Sequence, residues 1–191
     1  MSSRLSANAR REQLLGVALT TFAASGYHDT SMNDVAEAAG VTKPVLYQHF
    51  ESKRELYQAV VDDVGQRLVS AITTATADAT SGREQTERGF RAYFRWVAAN
   101  HDAFILLYGA RLDQEFARAV RRVTAEAAAA IAPLIDAGLD PEHQLTLAHA
   151  LVGLSEGASR RLVDRGEDFD PDVLADQLSA LAWAGLRAIA Q

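Results

Sequence analysis

The segment from Ser31 to Phe50 carries the side chains of this sequence that indicate the most definite chemistry. It has the pattern of two short helices joined by a tight turn at Gly40. Leu46 and Phe50 lie four residues apart and should point into a core. The second helix then turns polar side chains outward, namely Lys43, Tyr47, Gln48 and His49. A cation and a phenol suit phosphate oxygens and an amide suits a base edge, so the pattern predicts a helix-turn-helix that reads DNA.

Local backbone signals support the same interpretation. Ser31 with Asp34 three residues later has the spacing of a capping box, which begins a helix. Gly40 can adopt the left-handed conformation that ends one. Thr42 is a suitable N-cap for the second helix, and Pro44 in its first turn costs little because the N–H there has no helical acceptor. An ordinary helical hairpin is the alternative, but it does not explain why these signals coincide.

The order AGV, TKPVLYQHF and ESK resembles the DNA-binding segment of the TetR-family transcriptional regulators, over roughly Ala9 to Val61. The resemblance implies an all-α protein with a DNA-binding domain over residues 1–55, its motif at 31–50, and an effector-binding and dimerisation domain over 56–191. In that family the last two helices form the dimer interface and middle helices enclose a ligand pocket. Pro44 stands where many relatives carry glycine.

The resemblance also assigns roles to single residues of the motif. Base-edge contacts are expected from Lys43, Pro44, Val45 and Gln48. Phosphate contacts are expected from Ser31, Thr42, Tyr47, His49 and Lys53.

Charge is distributed unevenly along the chain. The net charge of -6 argues at first against a nucleic-acid partner. Residues 1–55 carry six basic and six acidic side chains, so the whole deficit lies in residues 56–191. Both lysines of the chain, Lys43 and Lys53, lie in or just after the proposed reading helix. This distribution favours docking on DNA through the N-terminal part and argues against a sequence-blind DNA coat.

Composition limits the other classes. The 191 residues are 48% hydrophobic, which allows a sizeable core. The absence of cysteine excludes disulfides and thiol chemistry and fits a reducing cytoplasm, where we expect the protein. The sequence contains no apolar run of about 18 residues for a membrane span and no apolar leader after Met1, so neither a membrane partner nor a signal peptide is predicted.

Helical periodicity predicts about nine helices and no strand. The first is expected from about Asn8 to Ala24, and the fourth from a capping box at Ser52 to about Thr76. The others are bounded by caps, prolines and glycines: a fifth from Ser81 to Asn100, a short sixth before Gly109, a seventh from about Asp113 to Ala137 with a kink at Pro133, an eighth from Asp140-Pro141 to Gly166, and a ninth from Asp170-Pro171.

The last two helices carry the faces that indicate self-association. The eighth has a leucine stripe from Leu147 to Leu162 and a second face with His149, Gly153 and Gly157 at four-residue spacing. The ninth has a stripe that includes Leu178, Leu181 and Gly185. Two faces on one helix indicate two partners, so we expect a homodimer through these residues. Close packing within one subunit is the alternative.

Aromatic side chains concentrate between residues 90 and 108. They surround more than one helix face, which favours a largely apolar cavity for a small-molecule effector. The expected lining is Tyr93, Trp96, Phe104 and Tyr108, with His101 or Arg111 at the mouth. The alternative is that these rings fill the core.

Catalytic and metal patterns are weak. The segment 153–157 matches G-x-S-x-G, but a nucleophile elbow needs a strand before the serine, and this match lies in a helical pattern. The last histidine, His149, also precedes Ser155, against the hydrolase order. The five histidines form no His-x-x-x-His pair on a helix, so no metal and no cofactor is predicted.

These patterns together predict a non-enzymatic, homodimeric regulator, most simply a ligand-responsive repressor of a palindromic operator. A dimeric DNA-binding protein without an effector is the main alternative, and a serine hydrolase is a remote one.

Overall fold

The computed structural model describes residues 6–109, 116–135, 138–165 and 169–189. In these ranges the chain forms nine α-helices and one 3₁₀ turn and no strand, which confirms the all-α prediction. The helices are α1 (Ala7–Asp29), α2 (Met32–Ala38), α3 (Lys43–Tyr47), α4 (Lys53–Thr76), α5 (Gly82–Ala99), α6 (His101–Tyr108), α7 (Ala117–Ile131), α8 (Pro141–Arg165) and α9 (Pro171–Ile189).

Contacts divide the chain into two compact units. The first contains the described residues up to Val64 together with those from Asp102 to Ala119, and the second contains Gly65–His101 and the described residues from Val120 onward. Helix α4 supplies residues to both units. The predicted domain division at residues 55 and 56 is a different partition and stays a prediction.

The first unit is built around an apolar core. Helix α1 contributes Leu14 and Phe22, and Leu46 and Phe50 are also buried there. An aromatic cluster lies beside them: the rings of Phe22 and Tyr57 are 5.0 Å apart and those of Tyr57 and Phe116 4.2 Å apart. The hydroxyl of Thr20 donates to the Asp102 carboxylate at 3.0 Å and ties α1 to α6.

The regular part of helix α1 ends close to the predicted end at Ala24. Its N-cap is Ser6, whose hydroxyl accepts from the Ala9 N–H. Gly26 is non-helical, with φ 81°, so the segment that follows is one further turn set off by a kink. A glycine tolerates this left-handed backbone without steric cost.

The second unit packs α5 along α9. Arg95 binds Asp172 through two bonds of 2.7 and 2.9 Å, and Arg91 binds Asp176 at 2.7 Å. A second cluster joins α7 and α8 through small and aliphatic side chains such as Ala128, Ala148 and Val152. A close approach of α4 and α7 occurs at Gly65, which faces Val123.

Helix starts agree with the predicted caps. Asp140 accepts from the N–H groups of Glu142 and His143, and Asp170 accepts from those of Asp172 and Val173. Pro141 and Pro171 begin their helices, as the Asp-Pro pattern predicted.

Helix seven was predicted wrongly at its C-terminal end. The α-helix stops at Ile131, and Pro133 lies in a 3₁₀ turn over Ala132–Leu134 instead of kinking a longer helix. A proline removes an N–H that the α-helical ladder needs, which explains the change. Its expected start at Asp113 and the expected stop of helix eight at Gly166 lie outside the described residues.

Candidate nucleic-acid interface

A complete capping box begins α2. The Ser31 hydroxyl accepts from the Asp34 N–H at 3.2 Å, and the Asp34 carboxylate accepts from the Ser31 N–H at 2.8 Å. The pKa of Asp34 lies below its ordinary value. The larger cause is the hydrogen bond from the Ser31 N–H to the carboxylate, and the smaller is the interaction with the Ser31 hydroxyl. Two N–H groups that the helix leaves without acceptors are thereby satisfied, which fixes where α2 begins.

The turn between α2 and α3 is a Schellman motif around Gly40. The Val41 N–H donates to the Ala36 carbonyl and the Gly40 N–H to the Glu37 carbonyl, both at 3.0 Å. Gly40 has φ +65°, as the sequence predicted. A residue with a Cβ is strained at this angle, so glycine sets the direction in which α3 leaves.

Helix α3 is anchored from one side and polar on the other. Leu46 and Phe50 are 0% and 1% exposed. Of the side chains predicted to face outward, Lys43, Tyr47 and Gln48 are exposed, and Thr42 and Pro44 are exposed as well. Val45 is half-buried, and so is His49, the fourth side chain predicted to face outward, so its imidazole is only partly accessible. Thr42 occupies the N-cap position, but its side chain makes no capping hydrogen bond.

Arg11 of α1 supports the C-terminal side of the motif. Its Nη1 donates to the His49 carbonyl at 3.0 Å, and its guanidinium carbon lies 4.4 Å from the centre of the Phe50 ring. Sequence reasoning missed this residue, because the contact joins positions 38 apart and has no local signature. The reading helix is therefore held in place by the buried side chains of Leu46 and Phe50 and by the guanidinium of Arg11.

Lys53 is the first residue of α4, and its side chain reaches the C-terminal end of α1. Its ammonium donates to the carbonyls of Tyr27, His28 and Thr30 and lies 4.4 Å above the centre of the Tyr27 ring. Beside it, Ser52 accepts from the Glu55 N–H, but the Glu55 carboxylate accepts from Glu51, so the predicted second capping box is only half formed.

The predicted effector residues fall in both units. Tyr93 and Phe104 are buried, as is Tyr108, whereas Trp96 is half-buried and His101 is exposed. Tyr93 and Trp96 belong to the second unit and Phe104 and Tyr108 to the first. Arg111 lies outside the described residues. The cavity therefore stays a prediction.

The predicted dimer residues lie at the surface of the single chain. His149, Gly153, Gly157, Leu181 and Gly185 are exposed, and Leu178 is half-buried. A Cβ added to any of the three glycines meets no atom within 4 Å. Exposure in the single chain does not test their assignment to an interface, which stays a prediction.

The G-x-S-x-G segment lies within α8. The Ser155 hydroxyl is buried and donates to the Leu151 carbonyl at 3.0 Å, so the strand and sharp turn of a nucleophile elbow are not formed there.

Among the described residues no three His, Asp or Glu side chains are grouped to hold a metal ion. No helix in these same ranges is long and apolar enough to cross a membrane.

A capped α2, a glycine turn and an α3 with a polar outer face define a helix-turn-helix protein of the DNA-binding class. Residues 14–60 match the model of bacterial regulatory proteins of the TetR family, and residues 82–185 match the tetracyclin repressor-like C-terminal domain. The chain belongs to the TetR family and is a DNA-binding regulator of transcription.

Relatives match along almost the whole chain. The transcriptional activator FasR of Mycolicibacterium smegmatis is 32% identical over 96% of this chain and 86% of its own. A crystal structure of a TetR-like regulator from Rhodococcus sp. RHA1 is 32% identical, has a TM-score of 0.78 and covers 96% of this chain and 99% of its own. The regulator FadR of Bacillus subtilis, solved in complex with stearoyl-CoA, shares the fold with a TM-score of 0.78 at 15% identity, over 90% and 96% of the two chains.

Proposed function

We propose that this protein binds a palindromic operator as a homodimer, that α3 reads the bases, and that an apolar small molecule controls the binding. The observation that carries the DNA-reading part is the anchoring of α3. Burial of Leu46 and Phe50 fixes the helix, and this leaves Lys43 and Gln48 exposed on its outer side. Rigid presentation of a few polar side chains is what a base-reading helix needs.

The residues of the motif divide into proposed base contacts, which should set sequence preference, and proposed phosphate contacts, which should set overall affinity. Lys43 and Gln48 are proposed to donate to base edges, and Pro44 and Val45 to touch a thymine methyl. Thr42, Tyr47 and His49, with Ser31 at the start of α2, are proposed to contact phosphates. Exposure of Ser31, Thr42 and Tyr47 supports this assignment.

Selection of bound sequences from a random DNA pool tests the proposal. The wild type should enrich a palindrome with half-sites about one helical turn apart. Gln48→Ala should relax the preference at one position of each half-site by about 1–3 kcal/mol. Gln66→Ala, an exposed glutamine outside the motif, is the control and should leave the selected sequence unchanged. Unchanged preferences in both Lys43→Ala and Gln48→Ala would refute the base-reading role of α3.

Exposed apolar and glycine positions on α8 and α9 support the homodimer. Leu181 is 61% exposed in the single chain, and Gly153 and Gly157 have open space around them. Glycines four apart on a helix allow a second helix to approach closely. A stable dimer buries about 1,200–2,000 Å² or more in total, which a pair of two-helix faces can supply.

Sedimentation of Gly157→Leu tests the interface. The added side chain should separate the helices, give a monomer and abolish tight operator binding. Gly16→Leu, at another exposed helical glycine with no atom within 4 Å of its Cβ position, is the matched control and should stay dimeric. A dimeric Gly157→Leu with wild-type operator affinity would mean that the glycine face is not the interface.

An effector would act by shifting the population of two arrangements of the reading heads. Helix α4 contributes to both units, which supports it as the coupling element. Such coupling is typically about 1–3 kcal/mol. The Tyr93 hydroxyl is buried near the hydroxyl of Ser159, and neither group has a partner with good hydrogen-bond geometry within the described residues. Burial raises the pKa of Tyr93, so its protonated hydroxyl is proposed as a donor for a polar group of the effector.

Stearoyl-CoA is a rational first probe because the FadR fold neighbour was solved with it. We expect the probe to change operator affinity and melting temperature, and Tyr93→Phe to reduce both changes. No shift by acyl-CoA esters or other apolar ligands would favour the rival protein without an effector.

Repression is proposed where the operator overlaps a promoter. The relative FasR is a transcriptional activator. A reporter with the selected operator placed over or upstream of the promoter decides the sign of regulation. Because the partner is the chromosome, we place the protein in the cytoplasm.

A further inference from the structure

Lys53 differs from Lys43 in what its ammonium contacts. The chain contains only these two lysines. Lys43 is exposed on the reading helix, whereas Lys53 is half-buried at the first turn of α4. Resemblance alone gives Lys53 a phosphate contact, and its surroundings argue for another role.

The ammonium of Lys53 has three N–H donors, and each has a carbonyl to bond. Its Nζ lies 2.8 Å from the Tyr27 oxygen, 3.3 Å from the His28 oxygen and 2.8 Å from the Thr30 oxygen. The Tyr27 ring lies beneath the same cation, with its centre 4.4 Å from Nζ. A phosphate contact would have to replace one of these bonds.

These carbonyls lie where α1 ends and α2 is about to begin. The last carbonyls of a helix lack intrahelical donors and carry partial negative charge, which a cation stabilises. Thr30 directly precedes Ser31, the N-cap of α2. Its hydroxyl also donates to the Gly26 carbonyl at 2.7 Å, at the kink of α1. The ammonium therefore connects the start of α4 with the junction from which the helix-turn-helix departs.

We propose that Lys53 is an internal positioning residue of the DNA-binding unit and not a DNA contact. It holds the α1–α2 junction against α4 and so sets the orientation of α2 and of the reading helix. This inference rests on the proposed function for its effect on DNA, but the cation's bonds can be tested without DNA.

The free protein gives the first test. With lysine labelled by ¹⁵N at Nζ, only two side-chain ammonium signals are present. The Lys53 signal should show slow proton exchange and a ring-current shift, and it should stay in place when operator DNA is added. The Lys43 signal should exchange fast in the free protein and move with DNA. Fast exchange at Lys53 in the free protein would overturn the proposal.

Variants give the second test, with Lys43→Met as the matched control. Lys43→Met removes a proposed base-edge donor, so it should lower the specificity ratio, and it should also reduce the slope of log affinity against log salt by up to about one unit because a cation leaves the DNA interface. Lys53→Met should leave this slope unchanged and lower the ratio of specific to non-specific affinity roughly tenfold, the loss of about one well-placed base contact. A smaller folded fraction cannot mimic this result, because it lowers both affinities by the same factor.

Lys53→Arg should restore much of the specificity ratio, because the guanidinium keeps the charge and several N–H donors. A Lys53→Met variant with a slope reduced by one unit and an unchanged melting temperature would show a direct phosphate contact and refute the inference. If Lys53→Met does not fold, the wild-type ammonium signals and the ratio in Lys53→Arg decide. Failure of the wild type to select any DNA would refute the proposed function, while the ammonium exchange would still test the internal bonds.

Discussion

Gly65→Ala should destabilise the second unit even though alanine favours helices. Gly65 lies inside α4 and faces Val123 of α7. A Cβ at this position would lie 2.7 Å from each γ-methyl of Val123 and 3.2 Å from its Cβ. Favourable carbon contacts occur at about 3.5–4.0 Å, so the neighbour would have to move by about 1 Å.

Val123 cannot relieve the clash cheaply. It is 2% exposed, so its methyl groups are surrounded. A β-branched side chain in a helix also has one strongly preferred rotamer. The helices themselves must therefore separate, and overpacking of this kind costs about 1–3 kcal/mol. Replacing glycine by alanine inside a helix gains about 1 kcal/mol. The expected net loss in the free energy of unfolding is about 0–2 kcal/mol.

Gly89→Ala is the matched control in the same unit. Gly89 lies inside α5, and its added Cβ would be 3.7 Å from the nearest atom, the γ-methyl of Thr76, which is an ordinary contact. It should gain up to about 1 kcal/mol. Urea unfolding followed by circular dichroism, at one protein concentration for all variants, measures both changes.

A double variant tests the cause of the loss. Val123→Ala removes both methyl groups that the new Cβ would strike, so Gly65→Ala should cost less in its presence. A coupling energy of about 0.5–3 kcal/mol is typical of residues in contact. If Gly65→Ala stabilises as much as Gly89→Ala, or shows no coupling to Val123, the close approach of α4 and α7 is wrong.

Three further changes test other contacts. Leu46→Ala should cost about 2–5 kcal/mol because it empties a fully buried site under the reading helix, and DNA affinity should fall with it; thermal unfolding and a binding assay measure the two effects. Because the pKa of Asp34 is lowered in the folded state, its contribution is present above its ordinary pKa of about 3.9 and is lost as the pH falls through the lowered value; Asp34→Asn should flatten this part of the acid unfolding curve. Because burial raises the pKa of Tyr93, the free energy of unfolding should fall as the pH rises above the ordinary tyrosine pKa of about 10, and Tyr93→Phe should weaken that fall. Parallel curves of unfolding free energy against pH for the wild type and Tyr93→Phe would contradict this.

The parts of the fold that were predictable from sequence are those fixed by contacts between near neighbours. The capping box of Ser31 and the Asp-Pro starts of α8 and α9 depend on bonds two to three residues long. The left-handed Gly40 belongs to the same class. The residues that form these contacts are close in sequence, so the order of residue types is enough to predict them.

The partners of the cations in the first unit could not be predicted in this way. The bonds from Lys53 to Tyr27 and from Arg11 to His49 join residues 26 and 38 positions apart. The type and position of Lys53 are equally suited to a phosphate and to a cluster of carbonyls. Only the arrangement of α1, α3 and α4 within the unit distinguishes the two.

Helix α9 reverses the usual rule that large apolar side chains face inward. Its stripe of Leu178 and Leu181 is half-buried or exposed, while the positions buried against the unit are Ala175, Ser179 and Ala182. Small inward residues let α9 lie close to α5, where the arginine–aspartate pairs of these helices also meet. Burying a leucine is worth about 1.5–3 kcal/mol, and an exposed one gives up that stabilisation. A second copy of the same face would recover it, which is the physical argument for a dimer through α8 and α9.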